Sequence, residues 1–139
     1  MKRVFLGGTC NGSLWRDRII VHLRDEGISY FNPVVDDWND TAQYEELRER
    51  SICDYCLYTI TPKISGYYSI AEVIDDSNKR PGKTILVLLK YDDGVYFTEG
   101  QWKSLTAVLH MVERNGGVTF EKLLPAVLYM KNKSENTND

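Results

Sequence analysis

The chain has 139 residues, 42% of them hydrophobic, which suits one domain with a hydrophobic core and is too little for two. Its net charge of -3, with acids and bases mixed along the sequence, argues against nucleic-acid and membrane-surface partners. No stretch has the length of a secretory signal or a bilayer span, and three cysteines make an odd number, so we expect a cytoplasmic protein with free thiols.

Strand and helix patterns alternate along the first half of the chain. RVFLGG predicts a buried strand, and SLWRDRIIVHLRDEG predicts a helix that Ser13 caps and Gly27 ends. A second strand is predicted at ISYFNP and a third at DYCLYTITP. Between them TAQYEELRERSI predicts a helix, with Asp40 or Thr41 as its cap.

The same alternation continues in the second half. A short helix is predicted from Ser69 to Asn78, a strand buried on both faces at KTILVLLKY, and a long amphipathic helix at EGQWKSLTAVLHMVERNGG. GVTF predicts an edge strand or a turn, and EKLLPAVLYM a helix interrupted or started near Pro125. We therefore predict one domain over residues 1–130 and a disordered tail over residues 131–139.

Alternating elements of this length predict an α/β fold of the flavodoxin-like, doubly wound class. Right-handed crossovers then give a mostly parallel sheet of about five strands with helices on both faces. Ligands of such sheets bind outside the carboxyl ends of the strands. The informative segments are therefore GGTCNGS, NPVVDDWND, TPKISGYYS and YDDG.

The segment GGTCNGS follows the first strand and opens a helix, a position that suits a phosphate, a carboxylate or a sugar hydroxyl. It lacks the lysine of the phosphate-binding loop and the G-x-G-x-x-G order of dinucleotide sites, so a plain strand-to-helix turn remains the alternative. Arg16, in the first turn of the helix, opposes the helix dipole and is predicted to face an anionic ligand.

Metal and redox chemistry have little support in the sequence. Cys53 and Cys56 have the spacing of a redox or zinc pair, but they end a helix and enter a strand, which favours small core residues. His22 and His110 both fall inside amphipathic helices, away from the cysteines. No metal site is predicted.

Carboxylates are the remaining candidates, and they follow three of the predicted strands: Asp36, Asp37, Asp40, Glu72, Asp92 and Asp93. Ser69-x-x-Glu72 has the pattern of a capping box, which would make Glu72 a helix cap. In a first helical turn the dipole would also keep Glu72 ionised, as a nucleophile requires. Ile70, Val73 and Ile74 would form the buried stripe, leaving Glu72 on the flank.

Three segments together resemble the nucleoside 2-deoxyribosyltransferase-like family over about Arg3 to Leu89: VFLGGTCNGSLWRDRII, YFNPVVDDW and CDYCLYTITPKISGYYSIAEVIDDSNKRPGKT. The resemblance implies a flavodoxin-like enzyme, without a cofactor, that cleaves the N-glycosidic bond of deoxynucleosides. Glu72 would be the nucleophile that attacks the sugar C1′ and forms a glycosyl-enzyme ester. Asp36 or Asp37 would contact or protonate the leaving base, and a tyrosine would hold Glu72.

The resemblance also implies a small-molecule nucleoside or nucleotide as partner and a homo-oligomeric assembly. The aromatic side chains predicted to stack on a base or position a carboxylate are Trp38, Tyr67 and Tyr68. All residues predicted to bind the substrate lie in the strand-end segments and the helix starts beside them: Gly8, Thr9, Asn11, Ser13, Arg16, Asn32, Trp38, Tyr67, Tyr68, Ser69 and Asp92.

Several functions remain open at this point. The substrate is a nucleoside or its 5′-monophosphate, and the acceptor is a second base or water. A TIR-like NAD glycohydrolase would use a glutamate on a related parallel sheet. A non-catalytic sensor would bind a nucleotide-like ligand at the same strand ends, with Glu72 only as a cap.

Overall fold

The structure, a computed structural model, describes residues 2–136, with side chains up to Lys133. Five helices and seven strands follow one another in these described residues: β1 (Arg3–Gly8), α1 (Trp15–Asp25), β2 (Ser29–Phe31), α2 (Asp40–Ile52), β3 (Tyr55–Ile60), α3 (Tyr68–Lys79), β4 (Thr84–Leu88), β5 (Tyr91–Asp92), β6 (Val95–Tyr96), α4 (Glu99–Arg114), β7 (Val118–Phe120) and α5 (Leu123–Asn136). A single 3-10 turn, Pro81–Lys83, leads into β4.

The main sheet has five strands in the order β2-β1-β3-β4-β7, and every neighbouring pair is parallel. The predicted flavodoxin-like, doubly wound α/β fold is therefore confirmed. GVTF supplies the edge strand β7, where Val118 lies opposite Ile85 of β4. The strand order reverses at β1, which lies between β2 and β3.

Helices cover both faces of the sheet, as predicted. On one face Trp15 of α1 and Val127 of α5 belong to a core cluster with strand side chains such as Leu57 of β3. On the other face α3 and α4 contribute Val73 and Leu105 to a second core cluster. Strands β3 and β4 are buried on both faces, because they lie in the middle of the sheet.

A small hairpin, β5–β6, follows β4 where the sequence predicts only a loop. Asp93 and Gly94 form its turn with φ values of 44° and 89°, the left-handed conformations that an Asp-Gly hairpin turn requires. Two contacts tie the hairpin to the β1–α1 segment: Ser13 Oγ donates to Asp92 Oδ2 at 2.6 Å, and Arg18 Nη2 donates to Asp93 Oδ1 at 2.6 Å.

Two predicted helix caps are wrong. Helix α1 follows Leu14, which makes no side-chain cap hydrogen bond; Ser13 stands one residue before the cap position, where its Oγ accepts from Trp15 N at 3.4 Å and donates to Asp92. Helix α2 is capped by Asn39, whose Oδ1 accepts from Ala42 N at 2.9 Å, rather than by Asp40 or Thr41.

The predicted disordered tail, residues 131–139, overlaps α5, which continues to Asn136; residues 137–139 lie outside the described part of the chain. No helix of the described residues is long and apolar enough to cross a membrane.

Gly8 is required where β1 passes closest to β3. Its φ is +117°, and a Cβ there would lie 2.1 Å from the Thr59 carbonyl oxygen. Gly12 has a similar φ of +83° with open space around it.

We expect Gly8→Ala to lower the free energy of unfolding by more than about 3 kcal/mol, and Gly12→Ala by about 1–2 kcal/mol, as measured by urea unfolding. Equal losses in the two variants would contradict the close approach.

Candidate functional site

A cavity of about 220 Å³ opens at the carboxyl end of β1, the point at which the strand order reverses. It is bounded by the β1–α1 segment, the loop after β2, and one side chain each from α2 and α3. The lining residues are Gly8, Cys10, Asn11, Arg16, Pro33, Val34, Val35, Trp38, Glu46 and Glu72. Five of the predicted site residues thus meet in one cavity: Gly8, Asn11, Arg16, Trp38 and Glu72.

The β1–α1 segment is held rigidly at the cavity floor. Thr9 N donates to the Thr59 carbonyl oxygen at 2.9 Å, and Thr9 Oγ1 accepts from Thr61 N at 2.9 Å. Thr9 is therefore buried and contacts protein on these sides. Asn11 then turns the chain with a φ of 37°. Lys63 Nζ closes the turn by donating to the Gly12 carbonyl oxygen at 3.0 Å.

Arg16 is buried, with 7% of its surface exposed. Its guanidinium donates to the carbonyl oxygens of Leu6 at 3.1 Å and Thr9 at 2.7 Å. It also lies 4.5 Å from the centre of the Trp15 ring. Burial lowers the pKa of Arg16. Its hydrogen bonds go to main-chain carbonyls, so it braces the end of β1, while the anionic ligand predicted for it stays a prediction.

Glu72 does not cap a helix, so the capping-box hypothesis is wrong. Helix α3 begins at Tyr68, after Tyr67 as its cap residue, which puts Glu72 in the second turn. Glu72 is 8% exposed and lies on the buried face with Val73, whereas Ile70 and Ile74 are only half-buried. The predicted flank position is also wrong, because α3 turns a partly polar face inward.

The carboxyl group of Glu72 lies within hydrogen-bonding reach of the Glu46 carboxyl group of α2. Burial, followed by this contact, raises the pKa of Glu72 to about 9. A second carboxyl group this close repels the ionised form of Glu72, which adds to the effect of burial. The sequence predicts a Glu72 carboxylate that the helix dipole keeps ionised, whereas the burial of Glu72 in the structure favours its protonated form.

Arg50 of α2 is the cation beside this pair. Its Nη1 lies 3.5 Å from Glu72 Oε2, which accepts no hydrogen bond from the described residues. The other guanidinium nitrogens donate to Asp76, from Nε at 3.2 Å and from Nη2 at 3.0 Å. A tyrosine was expected to hold Glu72, but Tyr58 donates its hydroxyl to Asp76. The side chain that forms an ion pair with Glu72 is Arg50.

The two acids predicted to act on the leaving base lie outside the cavity lining. Asp36 and Asp37 are exposed in the loop after β2, and neither lines the cavity. Within that loop Asn32 Oδ1 accepts from Val34 N at 3.0 Å, so this side chain shapes the turn. Trp38 does line the cavity, with 54% of its surface exposed.

The remaining predicted binding residues do not line the cavity. Tyr67 and Tyr68 are 73% and 71% exposed, and Tyr67 lines two other grooves, one along α3 and one between α3 and α4. Ser69 is buried in α3. Asp92 is fully buried in the hairpin, where it accepts the Ser13 hydroxyl, so both residues act in holding the β1–α1 segment.

Sequence reasoning missed Glu46, Arg50 and Cys10. Glu46 and Arg50 are one helical turn apart on the face of α2 that looks inward, whereas Tyr44 and Leu47 are 65% and 53% exposed. This arrangement is the reverse of the usual amphipathic helix, in which the apolar side chains face the core. The only available signal was the spacing of charged residues at i and i+4, which surface helices share.

No group of three His, Cys, Asp or Glu side chains that could hold a metal ion occurs in residues 2–136. The three cysteines are free, as predicted. Cys53 and Cys56 are buried core residues, and burial raises the pKa of each thiol to about 12.

The comparison with protein families agrees with the sequence resemblance. The family model described as nucleoside 2-deoxyribosyltransferase like matches residues 1–89, which is more than half of the chain. The matched segment includes every residue that lines the cavity. The curated proteins gave no match to the chain.

The raised pKa of Glu72 predicts a pH-dependent stability. From about pH 4.5, where an unfolded glutamate releases its proton, to about pH 9, the folded state binds the additional proton. Stability contributed by Glu72 therefore falls as the pH rises, by up to about 1.4 kcal/mol per pH unit. We expect Glu72→Gln to flatten the pH dependence of the urea midpoint and Glu45→Gln, on the outer side of α2, to leave it unchanged. A wild-type slope in Glu72→Gln would contradict the buried pair.

Cys10 is the exposed cysteine and stands at the cavity, whereas the other two thiols are buried and stay protonated. We expect iodoacetamide at about pH 8 to modify Cys10 alone in the folded protein, because only a thiolate reacts. Peptide mass mapping measures the site, and Cys10→Ser is the control that should remain unmodified. Modification of Cys53 or Cys56 before unfolding would contradict the structure.

Proposed function

Since the chain belongs to the nucleoside 2-deoxyribosyltransferase-like family, we propose that it cleaves or transfers the N-glycosidic bond of 2′-deoxynucleosides or their 5′-monophosphates. The observation that carries this proposal is the Glu46–Glu72 carboxyl pair at the cavity. Such a pair offers a nucleophile and an acid side by side, which double displacement at an anomeric carbon requires.

The proposed first half-reaction uses one proton and one negative charge. In the reactive form of the proposed enzyme Glu72 is a carboxylate and the neighbouring Glu46 holds the proton, so a nucleophile and an acid stand together at the cavity. The Glu72 carboxylate then attacks C1′ while the bond from C1′ to the base nitrogen breaks. The Glu46 proton passes to that nitrogen, leaving a glycosyl ester on Glu72 and a carboxylate on Glu46.

The second half-reaction returns the pair to its starting state. Water, or the nitrogen of a second base, attacks C1′ and releases the Glu72 carboxylate. Glu46 takes the proton that the attacking group loses, so the pair again holds one proton. Hydrolysis and transfer differ only in the acceptor, and both need the same two side chains.

We propose Glu46 for the acid role that the family resemblance implies for Asp36 or Asp37. Glu46 lines the cavity and contacts Glu72, whereas the two aspartates are exposed outside the lining. A proton donor has to stand within hydrogen-bond reach of the leaving atom. Asp36 and Asp37 border Trp38 in sequence, so their proposed role is contact with the outer part of the base.

The walls of the cavity suit a nucleoside. Trp38 stands half-exposed at the opening, where its indole can stack on a base, and Val34 and Val35 add apolar surface beside it. Gly8, Asn11 and Arg16 from the β1–α1 segment line the same cavity and add polar groups to it. A deoxyribosyl transition state lacks the electron-withdrawing 2′-hydroxyl, so a carboxylate and a proton donor lower its barrier without a metal ion.

We further infer a homo-oligomer located in the cytoplasm. The family resemblance implies the assembly, and apolar side chains exposed on the outer face of α2, Tyr44 and Leu47, support it. The two buried, reduced thiols Cys53 and Cys56 support a reducing compartment.

The experiment is covalent trapping with 2-fluoro-2-deoxyribosyl nucleosides, followed by intact mass and peptide mapping, alongside base release from deoxynucleosides and their 5′-monophosphates. We expect the adduct on Glu72, no adduct in Glu72→Gln, and a loss of at least about 10³-fold in base release. Glu46→Gln should slow base release by about 10²-fold.

The matched control is the double substitution of Asp36 and Asp37 by asparagine, which should change base release less than Glu46→Gln does. Release of no base from any substrate, or full activity in Glu72→Gln, would refute the enzyme proposal. Thermal stabilisation by nucleosides without turnover would then favour the sensor, and release of nicotinamide from NAD the glycohydrolase.

A further inference from the structure

Arg50 of α2 contacts Glu72, with 3.5 Å between Nη1 and Oε2, and does not itself line the cavity. We propose that Arg50 is a positioning residue that fixes the Glu72 carboxyl group at the cavity and balances the single negative charge of the pair. The role of Arg50 in the reaction rests on the proposed function, whereas its effect on the proton affinity of the carboxyl groups does not.

The guanidinium of Arg50 has one orientation in which every nitrogen faces an acid. Nε and Nη2 donate to Asp76, and Nη2 also donates to Asp75 at 3.1 Å. Nη1 is thereby directed at Glu72 Oε2, 3.5 Å away. The side chain of Arg50 is only 6% exposed, so water does not compete for these contacts.

Asp76 prevents the guanidinium from turning. It is fully buried and accepts hydrogen bonds from Arg50, from the Tyr58 hydroxyl and from Arg80 Nη1. Burial and the neighbouring Asp76 carboxylate raise the pKa of Tyr58 far above its usual range, so its hydroxyl remains a donor. Donors from α2, from β3 and from the residue that follows α3 thus fix the Asp76 carboxylate, which in turn fixes Arg50.

The buried cluster around Asp76 has one more positive than negative charge before Glu72 is counted. Arg50 and Arg80 are two cations on one buried anion, Asp76. Asp75 is half-exposed and has its own partner, Lys79, at 3.0 Å. The remaining positive charge faces Glu72, and a buried cluster is stable only when its charge is compensated. One proton on the Glu46–Glu72 pair gives this balance, because the pair then carries a single negative charge.

The other titratable groups around Glu72 do not supply that charge. On the cavity side are Cys10 and Arg16, and the Arg16 hydrogen bonds go to main-chain carbonyls. The loop after β2 carries only acids near the cavity, Asp36 and Asp37, and both are exposed. Within the described residues Arg50 is the cation that forms an ion pair with Glu72.

Removal of Arg50 should therefore leave both carboxyl groups protonated over a wider pH range. A neutral pair has an acid but no nucleophile, and the Glu72 side chain loses the contact that orients it. A purely structural arginine would change stability without changing the titration of the pair.

The test is a 13C NMR titration of the glutamate carboxyl groups in the full chain, with Glu46→Gln and Glu72→Gln to assign the signals. In Arg50→Met the midpoint of the pair should rise by about one pH unit or more, which is a tenfold or larger gain in proton affinity. Arg48→Met is the matched control, because Arg48 is half-exposed on the same helix, and its midpoint should equal that of the wild type. Arg50→Lys should lie between Arg50→Met and the wild type.

An unchanged midpoint in a folded Arg50→Met or Arg50→Lys variant overturns the proposal. Should Arg50→Met fail to fold, Arg50→Lys and Asp76→Asn decide, since Asp76→Asn frees the guanidinium to turn and should also shift the midpoint. The titration needs no substrate, so it gives its answer even where the enzyme proposal fails. With an active enzyme, Arg50→Lys should lower kcat more than it changes KM and shift the pH profile in the same direction as the titration.

Discussion

The requirement that a buried charge has a partner organises the half of the molecule that contains the cavity. Asp76 is fully buried, and Arg50 reaches it only when α2 turns its charged face toward the sheet. A second charged contact on that face, between Arg3 Nε and Glu49 Oε1 at 2.7 Å, attaches α2 to β1. The same rotation of α2 brings Glu46 against Glu72 and leaves its apolar side chains outside. The carboxyl pair is thus a consequence of how the ion pairs dock the helix.

The parallel sheet supplies the other half of the arrangement. Reversal of the strand order at β1 opens a crevice, and the β1–α1 segment has to turn sharply over the neighbouring strand to enter its helix. Gly8 permits this turn, Arg16 binds the carbonyl groups that the end of β1 leaves free, and the hairpin anchors Ser13 from the far side. Rigid main chain therefore faces the two carboxyl groups across the cavity.

Hydrophobic periodicity and turn residues were sufficient to predict the alternation of strands and helices, the parallel sheet and the edge to which Glu72 belongs. They failed where tertiary contacts reverse a local rule. The apolar-inward rule points Leu47 to the core and Glu46 to solvent, and ion pairs far apart in sequence impose the opposite. The Ser-x-x-Glu pattern predicts a cap, yet α3 begins one residue before Ser69, at Tyr68. The hairpin carried an Asp-Gly turn signal, but its strands are two residues long.

A carboxyl pair divided between two helices has a property that a pair on one helix lacks. The raised pKa of Glu72 depends in part on Glu46, so it depends on the spacing of α2 and α3. If the two helices moved apart, the effect of Glu46 on the proton affinity of Glu72 would weaken. The proton affinity of the site therefore depends on the distance between α2 and α3. A movement of either helix would change the acid–base behaviour of the cavity.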